Sequence, residues 1–165
     1  MKASARLILP AFLVGLLALS GCDNTTPVAD SGDQAAANVL AVPTSQDDGE
    51  WRQYVGRMIG KNIKRRSMPP FAFYLPPDDE EEVEKQIAHM RTTVLRPIAR
   101  DTTLGFGSRD SGLLASRMNE VFEPVPDNAL HGVRVVFVGH EADRETVEAA
   151  VRDTGAEFVF AQIGS

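Results

Sequence analysis

Apolar positions along the chain follow three spacings. Leu7 to Leu19 is an almost unbroken apolar run of 13 residues, interrupted only by Pro10 and Gly15. Trp51, Tyr54, Val55, Met58, Ile59 and Ile63 recur at helical spacing and predict an amphipathic helix over about 50–64. Beyond residue 70 short apolar runs alternate with helical stripes. Phe71–Leu75, between Pro69-Pro70 and Pro76-Pro77, reads as a strand. A helix follows, capped by Asp78 or Asp79, acidic in its first turn, with Val83, Ile87, Met90 and Val94 on one side and an end near Leu95 before Pro97. Thr103–Gly107 predicts a second strand. Ser108 or Asp110 then caps a helix carrying Leu114, Met118, Val121 and Phe122. Val133–Val138 predicts a strand covered on both faces. Asp143 opens a last helix that Gly155 stops, and Glu157–Ile163 predicts the final strand.

Alternating strands and helices imply right-handed crossovers onto a parallel sheet. The expected fold is a small three-layer α/β domain over 50–165, with about four mainly parallel strands and helices on both faces, in flavodoxin-like or Rossmann-like order. The order itself does not follow from the sequence.

The leading apolar run is too short to span a bilayer as a helix, which takes about 20 residues. With Lys2 and Arg6 ahead of it, it reads as a secretory signal over residues 1–21. Leu19-Ser20-Gly21-Cys22 closes it and resembles the lipobox of bacterial lipoproteins; Cys22 is the chain's 1 cysteine. The resemblance covers those residues alone. It implies cleavage before Cys22, a diacylglycerol on its sulfur, acylation of the new amino terminus (a palmitate-type chain), and membrane attachment through the acyl chains. Asp23 resembles the inner-membrane retention residue of such lipoproteins. The expected location is therefore the periplasmic face of the inner membrane, with the outer membrane as the alternative.

Residues 22–49 are rich in Asp, Ala, Thr, Ser and Gln, with no aromatic and no cationic residue, and predict a disordered tether. The whole chain carries 17 Lys and Arg against 23 Asp and Glu, net -6. Six of the acids lie at 23–50 and two of the cations precede Cys22, so residues 51–165 hold 17 acids and 15 cations. An acidic to neutral chain lacks the basic footprint of a nucleic-acid binder, and a single cysteine excludes a disulfide framework or a thiolate zinc cluster. One segment departs from this balance. Arg52, Arg57, Lys61, Lys64, Arg65 and Arg66 carry no intervening acid. With Trp51 they mark a helix for anionic headgroups or a partner protein. The plainer expectation is a helix packed on the domain, Gly56 and Gly60 allowing close approach.

Ligands of open parallel sheets sit beyond the carboxyl ends of strands, at a topological switch point. Asp78 and Asp79, Gly107, Ser108 and Arg109, and His140 occupy those ends. No phosphate motif is complete: Asp110 stands where GxGxxG needs glycine, and Leu113 and Leu114 stand where a P-loop needs Lys and Ser or Thr. Ser108, His140 and Asp78 or Asp143 would form a nucleophile, base and orienter if the loops converge, but no GxSxG elbow supports it. Three scattered histidines make no readable metal site, and no cofactor is implied. The sequence favours a membrane-anchored envelope lipoprotein whose α/β domain binds a protein or envelope component without catalysis. The alternative is a small-ligand-binding or hydrolytic domain using the loops at Ser108 and His140.

Overall fold

Each apolar segment beyond residue 47 takes the element its spacing predicts. The computed structural model describes residues 40–64 and 68–165, which fall within one compact unit, Gln34–Ser165. The signal segment, Cys22, most of the expected tether, Arg65 and Arg66 lie outside the described residues. The elements run α1 (Asp48–Lys61), β1 (Phe71–Leu75), α2 (Glu80–Val94), β2 (Thr103–Ser108), α3 (Ser111–Phe122), β3 (Arg134–Gly139), α4 (Glu141–Val151), a short 3-10 turn and β4 (Glu157–Gln162). All strands pair in parallel, in the order β1-β2-β3-β4.

That order settles what the sequence left open. Every crossover steps the same way, so right-handed connections place α2, α3 and α4 on one face. There they bury Phe73, Leu75, Leu104, Phe106, Val135 and Phe137 with Val83, Ile87, Leu114, Met118 and Val147. The strands never reverse direction of travel, so the described sheet has no switch-point crevice of the flavodoxin or Rossmann kind. Among the described helices only α1 lies on the other face, where Trp51, Tyr54, Val55, Met58 and Ile59 pack on Tyr74, Val136 and Val138.

Two strand glycines seat α1. A Cβ at Gly105 would stand 2.4 Å from Ile59 Cδ1, and one at Gly107 2.5 Å from Val55 Cγ1. Gly107 was expected at a strand end that a ligand approaches; both glycines lie inside β2, and what approaches their backbone is a helix. Gly56 and Gly60 were expected to pack closely, but both are exposed, with nothing within 4 Å of a Cβ at either. The close approach is therefore made by Val55 and Ile59 over the strand glycines, not by the glycines of α1.

Of the tether expected over 22–49, the described residues 40–49 are held on the domain. Leu40 and Val42 pack against the α1 cluster, and Asp47 caps α1 by accepting from the Glu50 amide at 2.8 Å. Ser45 O accepts from the Trp51 indole at 3.0 Å. Two apolar side chains and a cap thus bind residues 40–47 to the domain, which a count of polar residues averages away. Helix α1 also ends at Lys61, leaving Ile63 outside it and 39% exposed.

Replacing Gly105 by Ala crowds the entire Ile59 side chain and is expected to lower unfolding free energy by about 1–3 kcal/mol, the usual cost of overpacking a core. Gly56→Ala meets open space in a helix and is expected to raise it by about 0.5–1 kcal/mol. Urea denaturation of the two variants checks the pair; equal stability of both would contradict the seating of α1.

Candidate functional site

At the carboxyl ends of β1, β2 and β3 a cleft of about 480 Å³ opens, lined by Gln46, Asp78, Arg109, Ser111 and His140 among others. Three of the predicted site residues, Asp78, Arg109 and His140, do share it. Each sits on the turn between a strand and the next helix, where a parallel strand must end and a helix begin.

Helix capping uses several of the predicted polar groups. Asp79 caps α2 by accepting from the amides of Glu81 at 2.9 Å and Glu82 at 3.2 Å. Asp110 caps α3, accepting from Leu113 N–H at 2.8 Å. His140 is the residue before α4 and makes no side-chain cap bond. Asp143, expected to open that helix, lies inside it and accepts from the Ser111 hydroxyl.

Ser108 is fully buried, and its hydroxyl donates to Leu75 O at 2.7 Å while accepting from Asp110 N–H at 3.1 Å. Both its proton and a lone pair are engaged, so it does not point at His140. The proposed nucleophile–base pair does not form. The hydroxyl that does lie beside His140 is Ser111, which sequence reasoning passed over because it stands at the first turn of a helix. It accepts from the His140 backbone N–H at 3.1 Å and donates to Asp143. Its proton goes to a carboxylate, not to an imidazole, so the trio ties β3 to α3 and α4.

Arg109 is engaged on both branches of its guanidinium, by the Asp78 carboxylate and by Gln46 O. Its pKa lies above the ordinary arginine range, mainly through the bond to Asp78. Nearby, Tyr74 Oη donates to Asp48 Oδ1 at 2.6 Å. Burial first, then that bond, pushes the phenol far above the usual tyrosine range. Together these bonds fasten residues 46–48, the entry to α1, across the ends of β1 and β2.

The predicted basic helix divides. Trp51, expected on a contact surface, is only 7% exposed, because its ring packs edge-on to Tyr54 and its indole N–H is satisfied by Ser45. Arg52, Arg57 and Lys61 lie exposed on the outer side of α1, with Arg52 above the Tyr74 ring at 5.4 Å. Lys64 lies beyond the helix and pairs with Glu157 at 2.9 Å. Arg134 binds the same carboxylate at 2.6 Å and Asn62 O at 2.7 Å, closing the opposite end of the sheet.

Among the described residues no three His, Cys, Asp or Glu side chains converge as metal ligands. No helix among them is long and apolar enough to cross a membrane. No family model matches this chain, and neither the curated proteins nor the solved structures contain a match to it.

The bonds from Arg134, and then Lys64, hold the Glu157 carboxyl below the usual glutamate range. A depressed folded-state pKa means this stabilisation is complete above the unfolded value, about 4.3, and fades as pH falls through the folded one. The side chain is 45% exposed, so its share is about 0–1 kcal/mol. Glu157→Gln is expected to lower the urea midpoint slightly at pH 7 and to match the parent protein in acid. An equal gap at pH 7 and pH 3 would contradict this.

Proposed function

We propose that this chain is a membrane-tethered binding protein of the bacterial envelope, whose α/β domain holds a protein or envelope component and catalyses no reaction. The observation that carries the binding role is the pairing at the carboxyl ends of the strands. Ser108, Arg109, Ser111 and Asp143, the groups a reaction would recruit, are bonded to the backbone or to one another. Such bonds stiffen loops and leave their reactive atoms engaged. Nucleophilic catalysis instead requires a hydroxyl within reach of a base.

The tethered part rests on the resemblance at Leu19–Cys22. A single acyl chain binds a bilayer reversibly, whereas two or three anchor durably, each buried methylene contributing about 0.8 kcal/mol. Residues 40–47 pack on the domain, so the spacer left by sequence is 23–39. Its composition gives a root-mean-square reach of roughly 25 Å, at about 5–6 Å times the square root of residue number. The domain is then presented a short distance from the periplasmic face of the inner membrane. Its exposed Arg52, Arg57 and Lys61 favour approach to anionic headgroups by about 1 kcal/mol for each cation near the surface.

Two substitutions test the two halves. Cys22→Ser is expected to move the protein from the membrane to the soluble fraction on ultracentrifugation and to abolish incorporation of labelled palmitate; unchanged fractionation would end the anchoring claim. The double variant Ser111→Ala with His140→Ala is expected to keep full function in cells once its stability is matched by growth at lower temperature. Loss of function in a folded double variant would favour the hydrolytic alternative.

A further inference from the structure

The sheet has two edges, and they are treated differently. At β4 the edge begins with Glu157, held by Arg134 and Lys64, and Phe160 lies under the Arg144 guanidinium at 5.7 Å. Charged side chains on an edge strand are a usual means of keeping it from pairing. β1 itself carries no such charge, although the Arg52 guanidinium stands over its Tyr74 ring at 5.4 Å. Its five residues, Phe-Ala-Phe-Tyr-Leu, contain no charge and no proline, and among the described residues only β2 pairs with the strand. Phe71 is 51% exposed and Met68, just before the strand, 62%.

A groove accompanies this edge. One cleft of about 350 Å³ runs along β1 between Arg52 of α1 and Gln86 and His89 of α2. A second, of about 310 Å³, continues from Phe71 and His89 under Met68 towards Arg96 and Ile98. Phe71 and His89 line both, so the two clefts adjoin beside a strand some 17 Å long at about 3.3 Å per residue. The ionisable side chains on their walls are Arg52, His89 and Arg96, and no Asp or Glu lines either cleft. In a chain with more acids than cations, that is a local inversion of charge.

We propose that the β1 edge is a docking site for an extended, acidic segment of a partner protein, which adds as a fifth strand and sets apolar side chains against Phe71 and Met68. Strand addition draws affinity from backbone bonds and specificity from alternate side chains, and this edge with its clefts supplies both. A second copy of the chain is a poor occupant, since pairing β1 with β1 brings the same cationic walls together. The inference rests on the binding role proposed above and names its surface.

The test uses the full chain carrying C22S, so that anchoring does not enter. The probes are a pool of octapeptides with Glu or Asp at alternate positions and Val, Ile, Phe or Ala between, and a matched pool with Lys in place of the acids. Expected are binding of the acidic pool by fluorescence anisotropy, at least ten-fold weaker binding of the Lys pool, and amide NMR shifts concentrated on Phe71–Leu75. F71E, at an exposed position, and R52E combined with R96E are each expected to weaken the acidic pool at least ten-fold, with circular dichroism unchanged. No binding of the acidic pool, equal binding of both pools, or shifts centred on the loops around His140 would overturn the site. So would a peptide-free dimer in sedimentation that F71E abolishes, since the occupant would then be a second copy. These failures leave the fractionation result for Cys22 untouched, whereas unchanged fractionation would remove the tether and leave the edge site standing.

Discussion

The fold depends on a helix lying directly on the backbone of a strand. Gly105 and Gly107 present no side chain on the α1 face of β2, and Ile59 and Val55 occupy the space that Cβ atoms would take. A helix seated that low fills the centre of the sheet, with Leu40, Val42 and Ile163 packed beside it. It covers Tyr74, Val136 and Val138 without help from a second described helix, which explains how 14 helical residues serve one face while the other needs three helices. The same seating fixes where the chain must enter. To reach the amino end of α1, residues 40–47 cross the carboxyl ends of the strands; Arg109 holds Gln46, the Trp51 indole holds Ser45, and Tyr74 holds Asp48 at the start of the helix.

That entry path has a chemical consequence. In a sheet whose order reverses, the loops beyond the strands part around a crevice. Here the order runs straight from β1 to β4, and the incoming chain lies over part of the space where a ligand would sit. The polar residues there become fasteners: Ser108 joins β2 to β1, Arg109 joins the strap to Asp78, and Ser111 joins α3 to Asp143. Each is a residue type common in active sites, and each is accounted for by a bond that the fold itself needs.

Most elements were legible because their signals were local. Phe71–Leu75 lies between proline pairs, and Asp79 and Asp110 precede acidic or apolar helical stripes, so strand and caps follow from neighbouring residues. The site was less legible because its signals are shared. Alternate glycines ending a strand read equally as room for a ligand or room for a helix; only the tertiary position of Val55 and Ile59 decides. Trp51 at the start of a basic stretch reads as a surface aromatic until Ser45, six residues earlier, is seen to accept its indole proton. Ser111 carried no signal beyond its place in a helix, and its bond to Asp143 spans 32 residues of sequence. The packed segment 40–47 is hidden by averaging, since Leu40 and Val42 are isolated apolar residues in a polar stretch.

The β1 edge, unpaired among the described residues, follows from the same constraint. With α1 centred low over the inner strands, the outer side of β1 receives, among the described residues, the flank of α1, at Arg52, and the flank of α2, at Gln86 and His89. Shielding it would take a further strand, a charged residue within β1 or a longer loop before it, and the sequence between Met68 and Leu75 supplies prolines at the boundary and apolar residues inside. Prolines at both boundaries limit how far pairing can extend along the strand, while leaving the five residues between them able to pair. An edge bounded in this way resists open-ended sheet growth and still accepts one short strand.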